Sequence, residues 1–382
     1  MSTSKILHVA ETAKGGVGTY IDEVAALQLA GRADHDVRVV LPDAHAAQFQ
    51  RLPATAQRHF KAGVSRFVNT WRMVGAAFEQ IREWQPDVVH LHSTFAGFAL
   101  RPLIGMLASR PRVVYCAHGW AFDREGSAIA NRVFKWIERL WSHWGDRVVC
   151  VSAHELAAGA QIGIARERLV LVNNGVRDTL EPIDASAAMS AWPPGRRRVL
   201  FVGRLDRQKG VDVLFEAMNG LQDQAFAVVI GSAVVASDRR VEQPANVHVA
   251  GWLSRDEISA YYAAAEVVVI PSRWEAFSLV AVEAMRAGRA VLGSSVGGLR
   301  DVVADGLTGH LFEPGDAAGL TALIRSLSSA DIAALGAAGR ERYDRYFRIE
   351  RVAEELDGVY RSVLAERDAL ASGLATGASL DA

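Results

Sequence analysis

The loop VGRLDRQKG at 202–210 ends an apolar, strand-like run in Gly203 and presents two cations, Arg204 and Lys209. Open α/β sheets bind ligands at the carboxyl ends of their strands. There, beside a helix start, a planar guanidinium fork and an ammonium point charge suit a diphosphate, although ordinary surface charges would look the same. The segment PSRWEAFSLVAVE at 271–283 adds two carboxylates, Glu275 and Glu283. A helix over 277–287 would leave its first amides without intrahelical partners, free to hold a phosphate or a sugar hydroxyl, with Glu275 flanking them. Glu283 falls two turns into an otherwise apolar helix, where a carboxylate is costly unless it meets a partner. A vicinal diol such as a ribose supplies two donors at once; a helix-capping Glu275 and a Glu283 paired to an arginine is the competing reading. The loop SSVGGLR at 294–300 carries glycines that let backbone approach a ligand.

The first half of the chain offers weaker signals. Lys14-Gly15-Gly16-Val17-Gly18 follows an apolar run but does not match G-x-G-x-x-G, and no acidic residue ends the next run at 37–41. A dinucleotide site is therefore excluded in favour of a glycine loop that admits a substrate. His118, in CAHGW, closes a strand-like run at the corresponding edge. His90 and His92 share one strand face by the period of two; without a third ligand at metal spacing they read as pocket lining. Asp34-His35-Asp36 has the D-x-D form of metal-dependent sugar transferases, but it precedes a strand, at the wrong edge of a sheet, and reads as a turn. No metal is expected.

A scaffold must bring these residues together. Apolar, β-branched runs recur at 6–10, 37–41, 88–91, 113–117, 148–151 and 170–172, then at 199–202, 227–231, 247–250, 267–271 and 290–293. Runs apolar on both faces and separated by helical stretches predict α/β architecture with parallel sheets sandwiched by helices. The alternation resets after EPIDASAAMSAWPPG, a linker composition. The expected organisation is a Rossmann-like domain at 1–178, a linker at 179–194 and a second Rossmann-like domain at 195–345. Ile349, Val352, Leu356, Tyr360 and Val363 recur at helical spacing and predict a helix over 346–368. Residues 369–382 have little to pack and are expected to be a flexible tail.

Composition excludes several classes. The 42 Lys+Arg balance 43 Asp+Glu, so the chain lacks the basic footprint of a nucleic-acid binder. Its longest uncharged stretch, 224–237, is too short to span a bilayer, and the opening residues lack the apolar segment of a secretory signal. Cys116 and Cys150, each in an apolar run, fit buried thiols in a reducing cytoplasm. Charge is uneven, however: 51–112 holds 9 basic residues against 3 acidic. There Arg58, Lys61, Arg66 and Arg72 interleave with Phe60, Phe67, Trp71 and Met73. This is either a packed helix with solvated arginines or a surface for an anionic partner such as phospholipid headgroups or a lipid diphosphate.

In order and spacing, GGVG at 15–18, AHG at 117–119, NNGV at 173–176, VGRLDRQKG, EAFSLVAVEAMRAG at 275–288, SSVGG and DGLTGHLFEPGD at 305–316 resemble the retaining glycosyltransferases of family four, group 1. The resemblance covers essentially the whole chain; its most specific piece is the Glu275-x7-Glu283 segment. It implies a GT-B fold, two Rossmann-like domains facing a central cleft with a C-terminal crossover helix. It also implies a nucleotide-diphosphate sugar as donor, with neither cofactor nor metal. Arg204 and Lys209 would neutralise the leaving diphosphate, and Gly203 would lie against the donor. Glu275 and the amides of Ala276, Phe277, Ser278 and Leu279 would hold sugar and phosphate, and Glu283 the ribose. His118 would sit by the sugar, and Gly16 on the loop closing over the donor. Retention would follow a same-face displacement in which the leaving phosphate helps deprotonate the acceptor.

HVAETAKGGVGTY and VVHLHSTFAGFALRPL further resemble bacterial enzymes building exopolysaccharide, capsule or lipopolysaccharide on polyprenyl-diphosphate-saccharide acceptors. Such enzymes work at the inner face of the cytoplasmic membrane, which would give the basic 51–112 window a purpose. Two alternatives are a GT-B sugar-nucleotide epimerase, which needs no acceptor, and a non-catalytic glycosyltransferase-like partner. The latter predicts loss of a charged site residue, yet all four are present. Neither Gly231 nor Trp252 distinguishes a uracil from a guanine nucleotide.

Overall fold

In the computed structural model, which describes residues 3–31, 35–63, 65–178, 183–232 and 242–378 (side chains of 370–378 excepted), the apolar runs form two parallel sheets. The first contains β1 (Ser4–Ala10), β2 (His35–Pro42), β3 (Gln57–Phe60), β4 (Val88–His92), β5 (Arg112–Cys116), β6 (Arg147–Cys150) and β7 (Leu169–Leu171), in the order β3-β2-β1-β4-β5-β6-β7. The second contains β8 (Arg197–Val202), β9 (Ala225–Ile230), β10 (Val247–Gly251), β11 (Val267–Ile270), β12 (Ala290–Ser294) and β13 (Gly309–Phe312), in the order β10-β9-β8-β11-β12-β13. Each order reverses beside its first strand, at β1/β4 and β8/β11. Such switch points are where open α/β sheets hold ligands. The apolar pattern did not reveal β3 and β13. Both are edge strands, QRHF and GHLF, and an edge pairs on one side only and tolerates polar residues.

The chain divides into two units, Met1–Gly175 with Ile349–Ala382, and Val176–Arg348. In the first, Leu7, Val9, Val89, Leu91, Val113 and Tyr115 are fully buried. The C-terminal helix Ile349–Ala378 belongs to this unit, and its stripe Ile349, Val352, Leu356, Tyr360 and Val363 is buried. The helix starts three residues later than expected and runs beyond 368, so most of the expected tail is helical. Cys116 and Cys150 are free and buried. Of the D-x-D residues, Asp34 lies outside the described residues. The other two begin β2 rather than a turn: His35 Nε2 meets Asp357 at 3.2 Å, and Asp36 accepts from Trp84 Nε1.

The second unit buries Val199, Leu214, Met218, Val267 and Leu292 between its sheet and helices. The expected linker is part of it. Residues 179–182 lie outside the described residues, but Ser186–Met189 is helical and Trp192 is buried. Trp192 Nε1 donates to Val199 O and the ring packs 5.7 Å from Tyr261. An Ala- and Pro-rich composition thus misled because one tryptophan supplies the packing.

One ionic group sits deep in the first unit. Arg101 donates to Glu138 at 2.6 Å, with both side chains essentially inaccessible, and its guanidinium lies 4.0 Å from the Tyr115 ring centroid. Tyr115 Oη also donates to Glu138, and Arg101 Nε to Gly97 O. Removing one member strands a buried charge. Glu138→Ala is expected to destabilise the protein by about 3–5 kcal/mol in urea unfolding. A loss below about 1 kcal/mol would show that water reaches this cluster.

Candidate active site

The loops after β8 and β11 converge in the second unit. Lys209 Nζ lies 2.5 Å from Glu275 Oε1, which also accepts from Ser272 Oγ at 2.8 Å. Arg204 contacts Gln208 Oε1 at 2.6 Å and Asp206 at 3.1 Å, and Gln208 Nε2 donates to Trp274 O. A bidentate Arg273–Asp212 pair, 2.8 and 2.6 Å, fastens the same two segments. Two glycines permit this closeness. A Cβ on Gly210 would stand 2.0 Å from Pro271 O, and one on Gly297 2.1 Å from Glu275 O; both have positive φ. The second contact brings SSVGG beneath Glu275, whose carbonyl accepts from Gly298 N.

The helix expected over 277–287 is shorter, Leu279–Arg286, because Ser278 takes a left-handed conformation at φ 86° and ends the loop. Among the described residues, the amides of Ala276, Phe277 and Ser278 donate to no acceptor. Unbonded amides leading into a helix form a ready site for phosphate or sugar oxygens. The Phe277 side chain, by contrast, is core, 5.7 Å from the Phe347 ring. Glu283 is half-buried, and its Oε2 accepts from Tyr262 Oη at 2.8 Å. Burial raises its pKa, opposed by Arg286 and the Tyr262 hydroxyl. Tyr262 was missed because it reaches Glu283 from another helix, Arg255–Ala264. Trp252, at the exit of β10, is 76% exposed, and Gly203 N is engaged with Ile230 O.

In the first unit, Gly16 is exposed at the first position of the helix Gly16–Ala30. His118 follows β5 with φ 51° and touches Tyr20 edge-on at 4.9 Å. His90 and His92 do share a face, and a third histidine joins them: the ligand atoms of His8, His90 and His92 lie within 4.8 Å of one another. This corrects the expectation that no third ligand is present. The third comes from the adjacent strand β1, which linear spacing does not reveal. His8 Nδ1 bonds His92 Nε2 and His92 Nδ1 bonds His118 Nε2, both at 2.9 Å, whereas among the described residues His90 Nε2 is buried without a hydrogen-bond partner.

The basic window separates into two elements. Arg58 lies on β3, where it donates to the Thr55 and Gln57 carbonyls, and Arg72 donates to Lys61 O. Arg66 faces Glu11 at 3.6 Å and stacks on Phe95 at 4.6 Å, so part of its charge is already matched. Glu11 was also missed. It is buried at the exit of β1, where burial raises its pKa against the lowering effect of Arg66. Phe60 and Met73 are core, whereas Phe67 and Trp71 are 72% and 56% exposed.

Residues 183–343 match the family "Glycosyl transferases group 1" and residues 14–180 match "Glycosyltransferase Family 4". This chain belongs to those glycosyltransferases. It is 30% identical over 319 residues to a Klebsiella pneumoniae protein described as an uncharacterized 41.2 kDa protein in cps region, covering 82% of this chain and 87% of that one. Sucrose-phosphate synthase from Thermosynechococcus elongatus superposes with a TM-score of 0.81 at 24% identity, covering 96% of this glycosyltransferase and 100% of that chain. Anabaena HepE in complex with UDP-glucose gives 0.76 at 20% identity, with 94% and 99% covered. The fold is GT-B.

Glu155 is buried beside the loop that carries His118 in this glycosyltransferase. Glu155 Oε2 accepts from Val151 N at 2.9 Å, and Trp120 Nε1 donates to the main-chain carbonyl of Glu155. Burial pushes the Glu155 pKa up to about 7, partly offset by the Val151 amide. The folded protein thus holds the neutral acid better than the unfolded chain. That stabilisation is complete below the ordinary value of 4.5 and is lost as pH rises through about 7. Glu155→Gln removes the titration. Between pH 4.5 and 8 the wild type should lose about 3 kcal/mol relative to the variant. Parallel pH profiles of the two in urea unfolding would contradict the assignment.

Proposed function

We propose that this glycosyltransferase moves a hexose, with retention and without a metal ion, from a nucleotide-diphosphate sugar to a saccharide carried on a polyprenyl diphosphate. The step belongs to bacterial surface-polysaccharide synthesis at the inner face of the cytoplasmic membrane. The observation that carries the chemistry is the Lys209–Glu275 pair beside the unbonded amides of 276–278. Glu275 engages one of the three ammonium donors of Lys209, leaving the others for phosphate oxygens. With Arg204 close by, this positive charge stabilises the diphosphate as the glycosidic bond breaks, the task a divalent ion performs elsewhere. Glu275, held by a cation and a hydroxyl, is oriented to accept from sugar hydroxyls. Glu283 and Tyr262 receive the ribose diol, and the leaving phosphate takes the acceptor proton. The likeness to HepE, solved with UDP-glucose, supports a nucleotide-sugar donor; the relative in a cps region supports the surface-polysaccharide setting.

The membrane reading gains from a second helix. Ile129, Val133 and Trp136 form an exposed apolar stripe on Ala128–Trp141, 75%, 50% and 62% accessible, among the exposed Arg132, Lys135 and Arg139. The helix Thr94–Gly105 packs against both this one and Arg66–Trp84, so all three share one layer of the first unit. Aromatic and aliphatic side chains interleaved with cations suit an interface with anionic headgroups. No single helix among the described residues is long and apolar enough to cross a bilayer.

Thermal unfolding with UDP, GDP and NAD⁺, each with EDTA, tests the donor site. One of UDP or GDP should stabilise the wild type, by about 2.7 kcal/mol at a hundredfold excess over Kd. NAD⁺ should do nothing, and Lys209→Ala should lose the nucleotide effect whatever its own melting temperature. Stabilisation only when a divalent ion is supplied would contradict metal independence; no response to either nucleotide would remove the donor site.

Co-sedimentation with phosphatidylglycerol vesicles tests the surface. Replacing Phe67, Trp71 and Trp136 by Ser should abolish binding with little effect on stability, since all three are exposed. Undiminished binding would return these helices to the packed, solvated reading.

A further inference from the structure

We propose that His8, His90 and His92 form a structural zinc site inside the first unit, three imidazoles holding one Zn²⁺ between β1 and β4. The ion takes no part in the transfer step proposed above, which uses none of these residues.

Strand geometry assembles the cluster. β1 and β4 are parallel neighbours with His8 in register with His90, and the period of two returns His92 to the face of His90. All three side chains are fully buried, and one ring nitrogen from each lies within 4.8 Å of the other two. Ring centroids are 5.3 Å apart for His8 and His90, 5.2 Å for His8 and His92, and 4.2 Å for His90 and His92.

A histidine that ligates a metal through one nitrogen donates the N–H of the other to an acceptor, which fixes its tautomer and ring orientation. Each of the three has such a neighbour. His8 Nε2 meets Gln28 Oε1 at 2.9 Å, His90 Nδ1 meets Tyr360 Oη at 2.7 Å, and His92 Nδ1 meets His118 Nε2 at 2.9 Å. The Gln28 amide can turn its oxygen toward His8 whenever that nitrogen carries the proton, so the ligand set does not depend on how the amide lies without metal.

The nitrogens left for an ion are His8 Nδ1, His92 Nε2 and His90 Nε2. One shared proton satisfies the first two, which stand 2.9 Å apart, but His90 Nε2 is buried with no hydrogen-bond partner among the described residues. An unmade bond in a dry core is costly, and a single cation answers all three lone pairs. Tetrahedral Zn²⁺ with ligands at about 2.0–2.1 Å sets nitrogens about 3.3 Å apart, so the 2.9 Å pair has to open by only about 0.4 Å. An all-imidazole set suits zinc rather than Mg²⁺ or Ca²⁺, which take oxygen ligands. Three histidines leave a fourth position, filled by water or hydroxide in sites of this kind. Tyr20 Oη, buried and unpartnered among the described residues, is a donor available to it; the Tyr20 ring stands edge-on to His92 with centroids 6.0 Å apart. Through Gln28 and Tyr360 the site also engages the helices Gly16–Ala30 and Ile349–Ala378, all within the first unit.

Tag-free full-length protein, stripped of metal by a chelator and dialysed, is titrated with Zn²⁺ and, separately, with Co²⁺. One Zn²⁺ per chain should bind and raise Tm by about 5–10 °C at a hundredfold excess over its Kd. Co²⁺ should give the strong visible absorption of a four-coordinate site, and zinc X-ray absorption should show nitrogen neighbours at about 2.0 Å without sulfur. His90→Gln should abolish stoichiometric binding, whereas His248→Ala, at an exposed histidine of the second unit, should leave it intact. Tyr360→Phe, which removes only the acceptor for His90, should weaken binding about 10–100-fold. If His90→Gln does not fold, the wild-type spectra and Tyr360→Phe decide. A six-coordinate cobalt spectrum, a zinc–sulfur contact, a Tm that zinc does not move, binding retained by His90→Gln, or unchanged affinity in Tyr360→Phe would each overturn the site. None of these readouts depends on sugar transfer, so the donor reading stands or falls separately.

Discussion

The Lys209–Glu275 ion pair is the constraint on which the second unit's site depends. Its members come from loops following β8 and β11, strands that are neighbours in space but distant in sequence. The pair is largely shielded, with the lysine side chain 19% and the glutamate 7% accessible. In such surroundings either charge alone would be stranded, so each holds the other in place before a ligand arrives. A cation already desolvated and aimed is worth more to a developing anion than one recruited from solvent. The Arg273–Asp212 fork and the Gly210–Pro271 approach then keep the two loops from parting.

The two carboxylates of the Glu275-x7-Glu283 segment acquire different work from their surroundings. Glu275 is bonded to an ammonium and to Ser272, so its charge is matched where it stands. Among the described residues Glu283 accepts a hydrogen bond from the Tyr262 hydroxyl alone, and burial raises its pKa. A group in that condition gains from further donors, and a ribose diol supplies two. The same helix thus presents a cation-matched carboxylate ahead of its first turn and an under-donated one two turns along.

Much of this was legible in the sequence, because strand runs and strand-exit loops are local features. The apolar runs became every inner strand of both sheets and the edge strands β7 and β10, and Arg204, Lys209 and Glu275 lie on the loops their motifs marked. What stayed hidden was pairing across the fold. Tyr262 reaches Glu283 from another helix, Gln28 and His8 reach His92 from a helix and a neighbouring strand, and Glu11 takes up Arg66. None of these pairs has a fixed sequence separation, so spacing could not find them. Composition failed in the opposite direction at 183–194, where a single buried Trp192 outweighed an Ala- and Pro-rich linker signature.

Backbone strain points to the same strand exits independently of side-chain chemistry. The non-glycine residues with positive φ among the described residues are Gln85, Ser93, His118 and Ser278. Gln85 caps a helix, a common use of the left-handed region. The other three follow β4, β5 and β11, where ordinary residues adopt that region only if the surroundings over-determine them. Those surroundings are identifiable. Ser93 N is held by Cys116 O, and His118 by the bond to His92, with Trp120 two residues on tied to the Glu155 carbonyl. Ser278 follows the buried Phe277, whose ring is wedged against Phe347. Each strained residue adjoins a side chain fixed by burial, so the geometry of these loops is set from the core outward, before a ligand makes any contact.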